Sequence, residues 1–111
     1  MNRKYSLKKS YDIEKVMSFK KSVGNKSYAI YYQFFEGNMK IALSVSKKVG
    51  GAVVRNYEKR TVREIIRKNT EKLLGVKALI IIKKPALELT FVQKSNNLEN
   101  LFSRIIKEKA K

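Results

Sequence analysis

The chain of 111 residues contains no cysteine, no histidine and no tryptophan, and it has only one proline. The absence of cysteine excludes disulfides, thiol nucleophiles and thiolate metal sites. The absence of histidine removes the commonest general base and the commonest metal ligand. Asp12 is the only aspartate, so a metal cluster built on paired aspartates cannot form. We therefore predict neither catalytic nor metal-binding residues in the protein itself.

The remaining acidic residues are eight glutamates that stand apart from one another among lysines, a pattern typical of solvated, ion-pairing side chains. They are Glu14, Glu36, Glu58, Glu64, Glu71, Glu88, Glu99 and Glu108. Positive charge is in large excess, because 26 Lys and Arg residues outnumber nine Asp and Glu residues and leave a net charge of +17. The hydrophobic fraction of 43% is that of a folded protein. We expect one domain over 1–111 that binds a polyanion such as nucleic acid.

Long hydrophobic runs are also missing. The longest apolar segment, residues 78–82, is far shorter than the roughly 18 residues that a membrane-spanning helix requires. The first seven residues lack the apolar stretch of a signal peptide. We therefore expect a cytoplasmic protein without membrane contact.

Helical spacing of apolar residues predicts three helices. Three strands are predicted from an aromatic and β-branched segment, an alternating segment and a fully apolar run. The expected elements are helices over 10–20, 53–69 and 91–108 and strands over 28–35, 39–46 and 78–82. Glu36-Gly37-Asn38 predicts a turn into a returning strand, and Thr90 predicts the cap of the last helix. This order predicts an α+β fold, a two-layer α–β sandwich with one sheet and helices mainly on one face. The helix over 53–69 makes a crossover between the second and last strands, and general rules favour a right-handed one.

The helix over 53–69 divides into an apolar and a basic side. Its predicted core side consists of Val54, Thr61, Val62, Ile65 and Ile66. The opposite side carries Asn56, Lys59, Arg60, Arg63 and Arg67, with Arg55 at the border. Four of the chain's six arginines therefore lie within thirteen residues, although lysines are more than three times as numerous overall. Because the guanidinium fork matches phosphate oxygens, this side is a candidate phosphate-binding face.

The residues before this helix are also suited to binding phosphate. Lys47 and Lys48 add positive charge, and Gly50-Gly51 allow close approach of the backbone to a phosphate at the helix N-terminus. The alternative interpretation is that the arginines form only the solvated face of an amphipathic helix. Against it, Glu58 and Glu64 are the only acidic residues of this helix, and they face five basic residues through Arg67.

The aromatic strand over 28–35 is a second candidate site. Tyr31 and Tyr32 must point to opposite faces of the sheet, so one of them faces away from the core. A tyrosine exposed on a basic sheet can stack on a nucleotide base. The alternative, that all aromatic residues of this strand pack in the core or at its rim, stays open at this point.

Residues 44–64 resemble the signature of the bacterial ribonuclease P protein component. That family has the pattern Ser-Lys-Lys-x-Gly-x-Ala-Val-x-Arg-Asn-Arg-x-Lys-Arg-x-x-Arg. This chain has Ser-Val-Ser-Lys-Lys-Val-Gly-Gly-Ala-Val-Val-Arg-Asn-Tyr-Glu-Lys-Arg-Thr-Val-Arg-Glu. Upstream, Leu7-Lys-Lys-Ser and the following helix and strand also match, as does Ile80-Ile-Ile-Lys-Lys-Pro-Ala86 downstream. The resemblance therefore extends over nearly the whole chain.

The resemblance implies an α–β sandwich whose crossover is left-handed, contrary to the general rule. It implies an accessory subunit of an RNA-based endonuclease that removes the 5′ leader from precursor tRNA. The catalytic groups and the Mg²⁺ ions would then belong to the RNA. The implied partners are ribonuclease P RNA and precursor tRNA, with no protein partner required.

The resemblance also implies site residues. The positions that match the family's RNA-binding segment are Lys47, Lys48, Arg55, Asn56, Lys59, Arg60 and Arg63. Arg67 lies beyond the matched motif and is assigned to the same face by its spacing. The family's cleft for the single-stranded leader corresponds to Ile13, Met17 and Tyr31. The chain departs from the family pattern at Tyr57, which replaces the second arginine of Arg-Asn-Arg, and at Ile13 and Met17, which replace aromatic residues.

Two other functions remain to be weighed. A ribosomal or other structural RNA-binding protein fits the composition and charge equally well, and only the central motif argues against it. A nuclease with its own catalytic residues would need a metal site built from isolated glutamates.

Overall fold

The computed structural model describes residues 21–109, so the helix predicted over 10–20 lies outside the described residues. The elements are strands β1 (Ser22–Gly24), β2 (Tyr28–Phe34), β3 (Lys40–Val45) and β4 (Val76–Ile82), helices α1 (Ala52–Lys68) and α2 (Phe91–Lys109), and a 3₁₀ helix (Lys84–Glu88). Every helix and strand predicted within this range is present, and each bound lies within two residues of its expected position. The predicted α+β sandwich with one mixed sheet is confirmed.

Strand β1 has no counterpart in the sequence-based prediction. It contains three residues, of which only Val23 is both apolar and partly buried, so it has no alternation to detect. Its pairing with β2 defines it, since Ser22 lies opposite Tyr31 and Gly24 opposite Ala29. An edge strand this short is recognisable only from the strand beside it.

The sheet has the order β1-β2-β4-β3, so the last strand in the chain is inserted between the second and third. Strand β4 pairs antiparallel with β2 and parallel with β3. The strands on either side of the turn at Glu36-Gly37-Asn38 do run in opposite directions, but β4 separates them. Helix α1 joins β3 to β4 and forms the expected crossover, whose left-handedness stays a prediction.

Two glycines with positive φ angles join the loops at one end of the sheet. Gly37 has φ +144° and Gly75 has φ +79°, a region that favours glycine. The Gly75 amide donates to the Gly37 carbonyl at 3.0 Å, and the Phe35 amide donates to the Gly75 carbonyl at 2.9 Å. A Cβ at Gly75 would lie 3.1 Å from the Phe35 carbonyl oxygen. These contacts place the start of β4 directly beside the end of β2.

One core fills the space between the sheet and the two helices. The strands contribute Tyr28, Ile30, Tyr32, Ile41, Val76, Ala78, Ile80 and Ile82. The helices contribute Val62, Ile65, Ile66, Leu98, Leu101, Phe102 and Ile105. Helix α2 begins with the predicted cap, because the Thr90 hydroxyl accepts from the Gln93 amide and the Gln93 side chain accepts from the Thr90 amide.

The inner face of α1 differs from the predicted one at two positions. Val54 was expected in the core but is 38% exposed, because the first turn of α1 extends past the edge of the packed layer. Glu58 was expected on the surface but is buried together with Thr61, Val62, Ile65 and Ile66. A glutamate therefore occupies a position on the core side of this helix.

The partner of Glu58 is Lys94 on α2. The Lys94 Nζ donates to the Glu58 Oε2 at 2.8 Å, and the two side chains are only 4% and 3% exposed. A buried charge needs such a partner, because an unpaired ion in a core costs several kcal/mol. This ion pair connects the two helices across the layer.

Tyr28 is fully buried in the hydrophobic core. Burial raises the pKa of its hydroxyl above the usual 10, and the negative charge of Glu58 raises it further. The hydroxyl is therefore neutral at physiological pH. The charge of Glu58 therefore acts on the Tyr28 phenol as well as on the Lys94 ammonium.

We expect Lys94→Met to lower the free energy of unfolding by about 3 kcal/mol or more, because it leaves the Glu58 carboxylate buried without its partner. The double variant Glu58→Leu with Lys94→Met should recover most of that loss, since it removes both charges at similar volume. Urea denaturation followed by circular dichroism measures both values. A double variant no more stable than the single one would contradict a dominant role for the unpaired charge.

Candidate nucleic-acid interface

The outer face of α1 presents the predicted basic residues to solvent. Asn56, Arg60, Arg63 and Arg67 are exposed, whereas Arg55 and Lys59 are half-buried at the flank. The helix forms here because apolar residues recur at its inner side with a spacing of three and four, which leaves the cations on the outer side. The structure thus brings the predicted helical residues together on one surface.

The burial of Glu58 changes the charge balance of this surface. Because Glu58 points inward to Lys94, Glu64 is the one acidic residue of α1 that remains outside the core. Glu64 accepts two hydrogen bonds of 2.6 Å from Arg67. Within residues 21–109, Arg55, Arg60 and Arg63 form no ion pair. The positive charge of the outer face is therefore less neutralised by acidic residues than the sequence suggests. This argues against the alternative that the arginines form only the solvated face of an amphipathic helix.

Arg67 differs from the other arginines in this respect. Its guanidinium is held by a carboxylate of its own helix, with side-chain exposures of 73% for Arg67 and 40% for Glu64. An exposed ion pair of this kind contributes little to stability, and Arg67 can exchange the Glu64 carboxylate for another anion. Its membership of the phosphate-binding face stays a prediction.

The turn before α1 places further positive charge at the helix N-terminus. Lys47 and Lys48 are exposed in a turn that the Val49 amide closes by donating to the Ser46 carbonyl at 3.0 Å. Gly51 is the N-cap residue and supplies no side-chain hydrogen bond, and the first turn of α1 contains no acidic residue. Nothing would lie within 4 Å of a Cβ at Gly51, so the backbone here is open to approach. The positive helix end and the two lysines thus attract anions together.

The predicted leader cleft is described only in part. Tyr31 lies on the sheet face opposite α1 and α2 and is half-buried against Ala42, Leu79 and Ile81. Its neighbour Tyr32 points into the core, which confirms that the two rings occupy opposite faces. Ile13 and Met17 lie outside the described residues, so the cleft that they would form with Tyr31 stays a prediction.

The sequence analysis did not predict that Glu58 and Lys94, which lie beside the interface, are buried as a pair. Glu58 precedes Val62 and Ile65 by four and seven residues, and Lys94 precedes Leu98 and Leu101 by the same intervals. Both charged residues therefore lie on the apolar side of their own helix. That periodicity was visible in the sequence, but only the packing of α1 on α2 shows that they form a pair.

Comparison with protein-family models matches residues 1–106 to the family described as Ribonuclease P. The match includes the turn, the whole of α1 and most of α2. The chain belongs to the ribonuclease P protein family. The resemblance in the central motif is thereby confirmed.

Individual relatives in this family match over nearly their full length. The ribonuclease P protein component of Phytoplasma australiense is 44% identical over 108 residues, which cover 95% of this chain and 94% of the relative. That of Bacillus pumilus is 37% identical over 107 residues, covering 94% and 90%.

Solved ribonuclease P proteins have the same fold. The structure from Staphylococcus aureus matches with a TM-score of 0.84 at 30% identity, covering 91% of this chain and 94% of that one. The structure from Thermotoga maritima matches with a TM-score of 0.81 at 26% identity, covering 89% and 96%.

We expect Arg60→Ala with Arg63→Ala to weaken binding to a ribonuclease P RNA about a hundredfold or more, because hydrogen bonds to charged groups contribute about 1.5–3 kcal/mol each. The slope of log affinity against log salt should become shallower by about two phosphate contacts. Salt-dependent filter binding measures both quantities. Both side chains are exposed, so the thermal unfolding midpoint should not change.

The matched control removes the same charge from α2 through Arg104→Ala with Lys107→Ala, two exposed residues outside the predicted face. An equal loss of affinity in this control would show that net charge, and not the α1 face, governs binding.

Proposed function

We propose that this chain is the protein subunit of ribonuclease P and acts as an accessory subunit of an RNA-based endonuclease that removes the 5′ leader from precursor tRNA. The observation that carries the proposal is the outer face of α1, where Arg60 and Arg63 have no ion-pair partner within residues 21–109. The family of the chain supports it. Its partners are ribonuclease P RNA and precursor tRNA, and no protein partner is required.

The α1 face neutralises the RNA backbone. Arginine forks bind phosphate oxygens in pairs, and the half-buried Arg55 and Lys59 extend the face toward the turn that carries Lys47 and Lys48. The sandwich behind α1 fixes the backbone positions of these residues, so binding has to order only their side chains. Because the protein neutralises part of the negative charge of the RNA backbone, the RNA subunit and the precursor tRNA repel each other less.

The chemical step belongs to the RNA in this proposal. Within residues 21–109 no three acidic side chains come together as ligands for a metal ion, and the chain contains no histidine or cysteine. We therefore propose that phosphates of the RNA bind the Mg²⁺ ions. The protein raises substrate affinity and lowers the Mg²⁺ concentration that the RNA requires.

The single-stranded leader is held on the other face of the sheet. Tyr31 offers a half-buried ring there, beside the apolar side chains of Leu79 and Ile81. We assign Ile13 and Met17 to the same cleft, where they would give apolar contact. Within residues 21–109 no helix is long and apolar enough to cross a membrane. The compartment that we propose is the cytoplasm, where precursor tRNA is processed.

Reconstitution tests the function directly. Purified protein and a bacterial ribonuclease P RNA should together cleave precursor tRNA at low, near-physiological Mg²⁺, where either component alone is inactive. Binding of the RNA without any gain in cleavage, observed with the cognate RNA, would instead support a structural RNA-binding protein. Cleavage by the protein alone would contradict the assignment of catalysis to the RNA.

Tyr31→Ala should weaken binding of leader-bearing precursor tRNA about fivefold or more and leave mature tRNA unaffected, because stacking on a base contributes about 1–3 kcal/mol. Affinity of the reconstituted enzyme for both tRNAs measures the difference. Tyr31→Phe keeps the ring and should behave like the unaltered protein. Equal losses of affinity for the two tRNAs would show that Tyr31 only packs in the structure and does not contact the leader.

A further inference from the structure

Exposed apolar side chains are concentrated at the beginning of α1, next to the basic face. Val53 is 83% exposed and Tyr57 is 58% exposed, and their spacing of four residues puts them on one stripe of the helix. We call these two residues the Tyr57 surface. The same helix has Arg60 one turn further along. Exposure of a large aromatic ring to solvent is unfavourable unless the ring has a binding partner, so the position of Tyr57 needs an explanation.

The ring of Tyr57 is held in place from behind. The Lys94 Nζ lies 5.3 Å from the ring centroid and is itself bonded to Glu58 at 2.8 Å. Because Lys94 and Glu58 are almost fully buried, this ammonium belongs to the core and stays beneath the inner face of the ring. The outer face of the ring is the part that solvent reaches. The cation–π contact therefore favours one orientation of the ring, which makes Tyr57 a flat platform beside the basic face.

The charges around this platform identify its occupant. Arg60 follows Tyr57 by three residues and has no ion pair within residues 21–109, while Glu64 is bonded to Arg67. A flat apolar ring next to a free guanidinium matches a nucleotide, whose base stacks while its phosphate accepts hydrogen bonds. A second copy of this chain is disfavoured, because each copy carries a net charge of +17.

We propose that the Tyr57 surface stacks on an unpaired base of the RNA subunit, while the neighbouring arginines bind the backbone. This inference rests on the proposed function and specifies how its RNA-binding face works. A guanidinium at position 57 would add a second cation beside Lys94, which has Glu58 as its carboxylate partner. A ring at this position instead gains a cation–π contact with the same ammonium and gives the RNA a stacking surface.

The test separates stacking from phosphate binding by their salt dependence. Tyr57→Leu keeps an apolar side chain but removes the ring, and it should weaken binding to a bacterial ribonuclease P RNA about five- to tenfold at every salt concentration. The log–log salt slope should not change, whereas Arg60→Ala should make it shallower by about one phosphate contact. Tyr57→Phe should bind like the unaltered protein. Leu74→Ala, which removes a similarly exposed apolar side chain beyond the other end of α1, should have no effect.

Three results would overturn the proposal while reconstituted cleavage still succeeds. One is unchanged affinity of Tyr57→Leu. Another is tighter binding with a steeper salt slope in Tyr57→Arg, which would make position 57 a phosphate site. The third is self-association of the protein in sedimentation that Tyr57→Leu abolishes, which would assign the surface to a second copy. Failure of reconstituted cleavage with the cognate RNA would instead contradict the proposed function.

A crosslinking measurement covers the case in which Tyr57→Leu is too unstable to use. RNA subunit carrying 4-thiouridine is irradiated in complex with the unaltered protein, and the crosslinked peptides are mapped by mass spectrometry. Crosslinks at Tyr57 support stacking. Crosslinks confined to other residues of α1 would contradict it.

Discussion

Strand β4 is the element on which the other parts of the structure depend. It pairs with β2 on one side and with β3 on the other, and its apolar side chains reach both faces of the sheet. Its parallel pairing with β3 requires a crossover, because two parallel neighbours cannot be joined by a tight turn. That crossover is α1, which packs against the sheet. The helix that carries the arginines is therefore part of the helix layer of the sandwich. The basic face is consequently held on a rigid support and not on a loop.

The packing of α1 also decides its electrostatics. Its inner side must be apolar or neutralised, and Glu58 is neutralised by Lys94 on α2. This pairing removes one carboxylate from the outer surface and leaves the arginines with a single acidic neighbour on their own helix, Glu64. The same contact fixes a buried ammonium under the ring of Tyr57. One ion pair therefore connects the stability of the helix layer with the charge of the basic face of α1.

Much of this arrangement could be predicted from local patterns. Spacing of three and four identified both helices in the described range, and arginine spacing identified the basic face. The three strands were identified by aromatic and β-branched composition, by alternation and by a fully apolar run, respectively. Strand β1 could not be found, because three residues contain no period and only pairing with β2 makes them a strand. The exposure of Val54 was missed, because helical spacing does not tell where the neighbouring layer ends. Ile13 and Met17, which the sequence assigns to the predicted leader cleft, lie outside the described residues.

The sequence by itself determined the element types, the excess of positive charge and the spacing that puts the cations on one side of α1, since each depends on residues close in the chain. Only the tertiary structure decided the insertion of β4 between β2 and β3 and the pairing of Glu58 with Lys94. Glu58 and Lys94 are 36 residues apart, and no local period can connect residues at that separation. Contacts of this kind form only when whole elements pack, because their partners belong to different elements.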